Sequence, residues 1–360
     1  MQFGLFDHID RSEDRSLAQQ YDERLQLVAA ADAAGFYAYH LAEHHATPLN
    51  TTPIPGVFLG AVARLTKHIR MGPMVYLVPL YSPLRLIEEI SILDHLSHGR
   101  MEVGVGRGVS PFELNFHNID PEKSRDIFID GYECVIEGLT HDRLTHHGPY
   151  FNYDDVPIML RPLQQPHPAM WYGSSNTVGS TWAGEHGLHF ATNGTGERAK
   201  SNIDAYLAAL AQRKTGVEMP KPEFPGGAAI GISRQVVVAD TLADARRIGG
   251  PAHVHIHTNQ TYLRRESARR SSMKGDPAYG NTPTSADFDK AIAEGSTIVG
   301  TPDIVRAEIE RQIETLGINY LICYFMFGTM TLADALHSLE LFATEVQPKV
   351  RTASGAAAYR

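Results

Sequence analysis

Short apolar runs alternate with longer amphipathic stretches along most of the chain. Gln2–Phe6 reads as a strand, and Ser16–Ala34 as a helix with Tyr21, Leu25 and Val28 on one face and Gly35 as its stop. Tyr37–Ala42 is a second strand and Pro55–Leu65 an apolar helix. Ile69–Val78 and Pro83–Leu96 repeat the pair, the helix placing Leu86, Ile90 and Leu93 one turn apart. Arg100–Val105 is a fourth strand, followed by a loop and a helix near Ser124–Leu139. Then come Ala169–Gly173 with helix Val178–Gly187, and His189–Thr192 with helix Glu197–Arg213. Ala228–Ala239 is a seventh strand and Thr301–Leu316 a helix. That helix opens at Thr301-Pro302-Asp303, repeats Val305, Ile309 and Ile313, and stops at Gly317. Tyr320–Phe327 is the last strand. Thr331–Gln347 is the last helix, with Thr331 and Asp334 spaced as a capping box.

Eight strand–helix units predict a parallel sheet with helices outside, and eight favour closure: a single α/β (β/α)8 TIM barrel over residues 1–350. Two stretches interrupt the rhythm. One follows the fourth unit, where 143–159 has the pattern of a small hairpin. The other, 257–296, is polar and punctuated by Gly275, Pro277, Gly280 and Pro283; a stretch of that length late in a barrel reads as a lid or a disordered loop. Both are expected to border the pocket. Residues 351–360 read as a flexible tail.

The 360 residues are 43% hydrophobic and 20% charged, which supplies a large core, and the net charge of -9 gives no electrostatic case for nucleic acid as a partner. The densest basic stretch, Arg264, Arg265, Arg269, Arg270 and Lys274, reads as a solvated helix face. Cys134 and Cys323 sit among apolar neighbours, which makes neither a disulfide framework nor a metal site and points to a reducing compartment. Met1–Asp10 lacks the basic start of a signal peptide, and no apolar run approaches the ~20 residues of a membrane span. The expectation is a soluble, cytoplasmic protein without membrane contact.

Barrel chemistry belongs at strand C-termini. The second strand ends in Glu43-His44-His45. Neighbours on a strand face opposite ways, so the two imidazoles do not readily share a metal ion. They read either as hydrogen-bonded loop histidines or, for His44, as an acid–base group. The fourth strand ends in Gly104-Val105-Gly106-Arg107-Gly108, where small residues would let a flat ring approach and Arg107 offers a fork for a phosphate, or a surface salt bridge. The fifth ends in Gly173-Ser174-Ser175-Asn176-Thr177, ahead of a helix. One of these residues suffices for a cap, and the surplus suits an anion. Arg125, a cation early in its helix, hints at a nearby anion.

These residues carry a resemblance from end to end to the bacterial luciferase-like flavin monooxygenases. It rests on Phe3-Gly4-Leu5-Phe6, Ala42-Glu43-His44-His45, the run Leu93 to Arg100, Gly104 to Gly108, Ser124-Arg125, and the Ser174-Ser175 turn followed by Trp182-Ala183. The resemblance implies reduced flavin mononucleotide (FMNH2) at the strand C-termini. Oxygen would be activated there as a flavin hydroperoxide and one atom transferred to a small organic substrate. It implies His44 as the catalytic histidine. It places Glu43, His45, Met74, Val75, Gly106, Arg107, Arg125, Gly173, Ser174, Ser175, Asn176 and Thr177 around the flavin, with no metal. A cis peptide near Met74-Val75, a separate NAD(P)H:flavin reductase and a homodimer are implied too; the apolar helix Pro55–Leu65 suits a pairing surface. Luciferases proper carry cysteine where this chain has Gly106, which argues against light emission. Two alternatives stand beside this reading: a deazaflavin-dependent dehydrogenase on the same barrel, and a non-catalytic flavin-binding or partner subunit.

Overall fold

The computed structural model describes residues 1–269 and 286–351. Eight parallel strand positions make a barrel, with the helices outside it. They are Gln2–Asp7, Ala38–Leu41, a third strand in two pieces (Arg70–Pro73 and Tyr76–Leu77), Val103–Gly106, Met170–Gly173, His189–Thr192, Ile230–Val238 and Tyr320–Tyr324. Each pairs with its neighbours in sequence, and the first pairs with the eighth, Gln2 opposite Tyr320 and Leu5 opposite Cys323. The ring closes through the divided third strand. Its first piece lies beside strand two, Ala38 opposite Arg70; its second lies beside strand four, Tyr76 opposite Val105 and Leu77 opposite Gly106. The expected unbroken strand Ile69–Val78 is thus interrupted, and the Met74–Val75 peptide bond within the gap is cis.

Local sequence sets most boundaries. Ser16 accepts a hydrogen bond from the Gln19 amide and starts helix Leu17–Ala33. Gly317, at φ 73°, takes the left-handed conformation that ends Pro302–Leu316. Thr331 caps the last helix through the Asp334 amide, but that helix runs only from Leu332 to Leu341 before widening into a π turn over Phe342–Val346. Several elements depart from the sequence reading, a helix over Phe288–Ala293 among them. Pro111–Phe116 is a short helix after strand four. Leu242–Gln260 is a helix of 19 residues, so the polar stretch starting at 257 begins inside it and continues as Tyr262–Arg269. Thr297–Gly300 is a further strand beside the outer half of strand seven, Gln235 opposite Thr297. The middle of the expected lid and nearly all of the expected tail lie outside the described residues.

The hairpin pairs Arg143–His147 with Asn152–Pro157 and docks on the outside of helix Ser124–Thr140. Asp130 of that helix holds it, accepting from the Tyr150 and Phe151 amides at 2.9 Å each and from His146 Nε2 at 2.8 Å.

The N-terminal end of the barrel is plugged by charge and aromatics. Glu102, fully buried just ahead of strand four, meets the Arg70 guanidinium, Lys221 Nζ at 3.1 Å, the Tyr37 hydroxyl at 3.0 Å and the Trp171 indole N–H. Phe224 fills the same end against Tyr37 and Trp171. Burial pushes the Glu102 carboxyl up, but Arg70, Lys221 and His189 outweigh it and hold it at about 2. Its folded pKa is depressed, so its stabilisation is complete above the ordinary carboxylate range and is lost as pH falls toward about 2. Glu102→Ala strands two cations at this end and is expected to destabilise the fold by about 3 kcal/mol, read as a lower denaturant midpoint at pH 7. A midpoint equal to that of the wild type would refute this.

Candidate active site

With the other end plugged, the barrel opens at the strand C-termini, where a cavity of about 360 Å³ lies among the endings singled out above. Strand two stops at Leu41, so 42–45 no longer follow strand alternation. Glu43 and His44 consequently both line the cavity, contrary to the expectation that they face opposite ways. Glu43 is buried and works as a clasp. Its carboxylate accepts from the Leu77 amide at 3.1 Å, the Tyr81 hydroxyl at 2.9 Å and His45 Nε2 at 2.9 Å, tying the end of strand two to the second piece of strand three. Burial raises its pKa. His45, expected beside the flavin, is not part of the cavity wall; its ring meets Glu43 and His117 instead.

His44 is held from behind. Its Nδ1 lies 3.1 Å from Oε1 of Glu113, which also accepts from the His45 amide at 3.1 Å. Glu113 is buried in the short helix Pro111–Phe116. Burial pushes the His44 imidazole down, but the charge and hydrogen bond of Glu113 and the charge of Glu43 prevail and raise it above the ordinary histidine value. Nδ1 is thereby committed to the carboxylate, and Nε2 has no hydrogen-bond partner among the described residues. The imidazole can therefore hold or release a proton toward the cavity.

The opposite end suits an anion. Arg107 follows strand four, and Arg125 is the second residue of helix Ser124–Thr140. Both line the cavity, and neither has an ion-pair partner among the described residues. They converge on Tyr172: burial raises its phenol pKa while the two guanidiniums oppose that rise. Facing them, Gly173, Ser174, Ser175 and Asn176 line the wall, and Thr177 does not. Capping explains Asn176, whose Oδ1 accepts from the Gly179 amide at 2.9 Å, and Ser174 Oγ bonds the Asn176 carbonyl at 2.8 Å. Arg198 holds the Ser175 carbonyl at 3.0 Å, leaving the Ser175 hydroxyl without a partner among the described residues. Two unpaired guanidiniums facing a hydroxyl and a helix N-terminus are donors in search of a phosphate-like anion.

Between these ends the floor is apolar: Met74, Val75, Leu77 and Phe6. Gly106 belongs to it. A Cβ there would stand 2.4 Å from Val75 Cγ2, and one on Gly104 would stand 2.3 Å from the Pro73 carbonyl. The glycines thus make room for the divided third strand. A cysteine at 106 would collide with Val75. Trp182 lines the cavity too, as do Glu113, Tyr172 and Phe128, which the sequence did not single out. No residue of the hairpin borders it, against expectation; no described residue of 257–296 borders it either, and the middle of that stretch lies outside the described residues.

Two unpaired guanidiniums beside a helix N-terminus, an apolar floor and a carboxylate-held imidazole at the open end of a (β/α)8 barrel mark a barrel enzyme. The chain belongs to the luciferase-like monooxygenases, whose family model matches residues 1–320, and it is an oxidoreductase of that family. It is 34% identical over 348 residues to y4wF of Sinorhizobium fredii, covering 97% of each chain. It is 26% identical over 254 residues to the oxygenase component of the flavin-dependent trigonelline monooxygenase of Acinetobacter baylyi, covering 68% of this chain and 67% of the relative. Among solved structures, the monooxygenase RslO1 of Streptomyces bottropensis superposes with a TM-score of 0.83 at 25% identity, covering 97% of this chain and 99% of the other. The fold is shared at a TM-score of 0.76 and 24% identity with the oxygenating constituent of 3,6-diketocamphane monooxygenase of Pseudomonas putida, solved with FMN, covering 98% and 99%. It is shared too with an F420-dependent secondary alcohol dehydrogenase, at 0.71 and 18%, covering 97% and 99%.

Proposed function

We propose that the protein is the oxygenase of a two-component system, taking FMNH2 from a separate NAD(P)H:flavin reductase and using O2 to oxygenate a small organic substrate. The observation that carries this is the pairing, in one cavity, of two unpaired arginines with an imidazole locked to a buried carboxylate. Arg107, Arg125 and the Ser174–Asn176 turn would hold the phosphate, and Met74, Val75 and Gly106 would lie against the ring system. Bound reduced flavin supplies the two electrons that activate O2. The protein's own part is to fix the cofactor, to exclude water with the apolar floor, and to hold a proton on His44 Nε2 facing the reacting centre.

The named oxygenase-component relative favours flavin over deazaflavin, and retention of His44 together with both arginines favours an active chain over a supporting one. Combining the purified chain with FMN, NADH and a flavin reductase tests this. The expected results are FMN binding by equilibrium dialysis, no binding of coenzyme F420, and oxygen uptake diverted from the reductase's own peroxide production once a substrate is present. Retention of F420 but not FMN would defeat the proposal.

A homodimer belongs to the same proposal. Val57 is 76% exposed and Ile54 56% on or beside helix Pro55–Leu65, with Leu65, Ile92 and Leu96 also exposed on this helix and the one packed against it. Apolar side chains grouped in this way suit a partner surface. Sedimentation at micromolar concentration is expected to give the mass of two chains; the mass of one would reject pairing.

A further inference from the structure

Strand five brings a phenol to the arginine end of the cavity. Neighbours on a strand face opposite ways. Trp171 turns inward, its indole N–H on Glu102, so Tyr172 turns outward, between the two helices that flank the strand. Its ring packs on Phe128 of helix Ser124–Thr140 at 5.7 Å and on Trp182 of helix Thr177–Glu185 at 5.0 Å. Both helices begin at the cavity: Arg125 is in the first turn of one, Gly179 in the first turn of the other, and both residues line the wall with Tyr172.

Gly179 fixes which part of the ring is there. A Cβ on it would stand 3.1 Å from Tyr172 Cε1, the ring carbon next to the one that bears the hydroxyl, and 2.6 Å from Ser174 Oγ. The hydroxyl end of Tyr172 therefore lies at the Ser174–Asn176 turn. Burial raises its pKa, and the Arg107 and Arg125 guanidiniums both pull against that rise, as charges close to a hydroxyl do.

A tyrosine this far inside a protein ordinarily spends its hydroxyl on a protein acceptor. Tyr37, Tyr39, Tyr76, Tyr81 and Tyr206 all do. Tyr172 has no hydrogen-bond partner among the described residues. Its arginine neighbours cannot take its proton, because a guanidinium has no acceptor. The phenol O–H is left to an acceptor from outside the protein, and the guanidiniums draw an anionic one to that place.

We propose that Tyr172 is a ligand-binding residue whose phenol donates a hydrogen bond to a terminal oxygen of the phosphate monoester held by Arg107 and Arg125. The three donors come from three elements: the loop after strand four, the start of a helix, and strand five. Two guanidiniums balance the charge of a monoester dianion, and the phenol adds a directional bond without adding charge. This assignment rests on the flavin reading above, and its test separates the two.

Binding of FMN, riboflavin and inorganic phosphate is measured by calorimetry on wild type and Tyr172→Phe. Phenylalanine keeps the ring and its packing on Phe128 and Trp182 and removes only the hydroxyl. The variant is expected to bind FMN roughly 10–100-fold more weakly, the worth of a hydrogen bond to a charged group, with riboflavin affinity within about twofold. Inorganic phosphate should weaken with FMN. A purely structural tyrosine would move both flavins together or neither, and either result would overturn the assignment. Failure of wild type to bind FMN would overturn the flavin reading instead. Inorganic phosphate then decides for Tyr172: weaker binding by the variant sustains the phosphate contact, and equal binding, or none by wild type, overturns it.

Discussion

Replacing Arg107 and Arg125 together by alanine is expected to weaken FMN binding a hundredfold or more while leaving riboflavin, which lacks the phosphate, almost unaffected. A hydrogen bond to a charged group contributes about 1.5–3 kcal/mol, so each arginine alone should account for roughly tenfold or more. Neither guanidinium has an ion pair to break among the described residues. The loss therefore measures their grip on the ligand rather than damage to the fold. Lysine at either position should recover only part of the affinity, since an ammonium restores the charge but not the two-pronged geometry. The comparison of the two flavins is decisive. A double variant that loses FMN and riboflavin equally would place the arginines in general architecture, and one that loses neither would remove them from the site.

His44→Ala is expected to slow product formation 10²–10⁴-fold, the usual worth of a positioned acid–base group, with FMN affinity within about twofold and the missing oxygen recovered as hydrogen peroxide. Glu113→Gln tests the mechanism behind that effect. Glutamine preserves the shape and can still accept from the His45 amide, but it removes the charge that overcomes burial at His44. The imidazole pKa must then move down, because burial remains and its main opponent is gone. Whichever protonation state turnover requires, the limb of the pH–rate profile belonging to His44 should shift to lower pH in Glu113→Gln. An unchanged limb would show that Glu113 only shapes the loop. His45→Ala should be milder than His44→Ala in turnover, because His45 reaches the site only through Glu43.

The barrel was legible because seven of its strands are short apolar runs followed by well-marked helices, and because eight such units leave few other architectures. The failures have particular causes. The buried face of Leu242–Gln260 is Ala245, Gly249, Ala252, His253, Ile256 and Asn259, of which only Ile256 is a large apolar residue, too little to mark a hydrophobic period, and Pro251 lies within the helix. Tertiary packing decides this helix, not its own pattern. Strand Thr297–Gly300 has only four residues, between the polar stretch that ends at 296 and the helix start at Thr301, too short a run to show an alternation of its own.

At the site, residues at strand ends were found because position alone singled them out. Glu113 was not, since Ser110-Pro111-Phe112-Glu113 looks like an ordinary helix start. The structure shows that Ser110 does cap the Glu113 amide, while the Glu113 carboxylate has turned to the histidines instead. A partner 69 positions away leaves no local trace in the chain. His45 and Thr177 were included by adjacency, and adjacency fails where the backbone leaves strand geometry.

The divided third strand has a consequence for anyone altering what this enzyme accepts. One segment, 70–77, both seals the wall of the barrel on two sides and lays the floor of the cavity, with Gly104 and Gly106 cut to its outline. Floor and seam are one piece, so enlarging the pocket from below amounts to loosening the barrel. Libraries that randomise Met74, Val75 or Gly106 should yield mostly insoluble protein. Strands one and eight meet through their own backbone ladder, and Phe6 of strand one is part of the cavity wall. Changes of specificity should therefore accumulate on that side of the mouth, leaving the cofactor's bed intact.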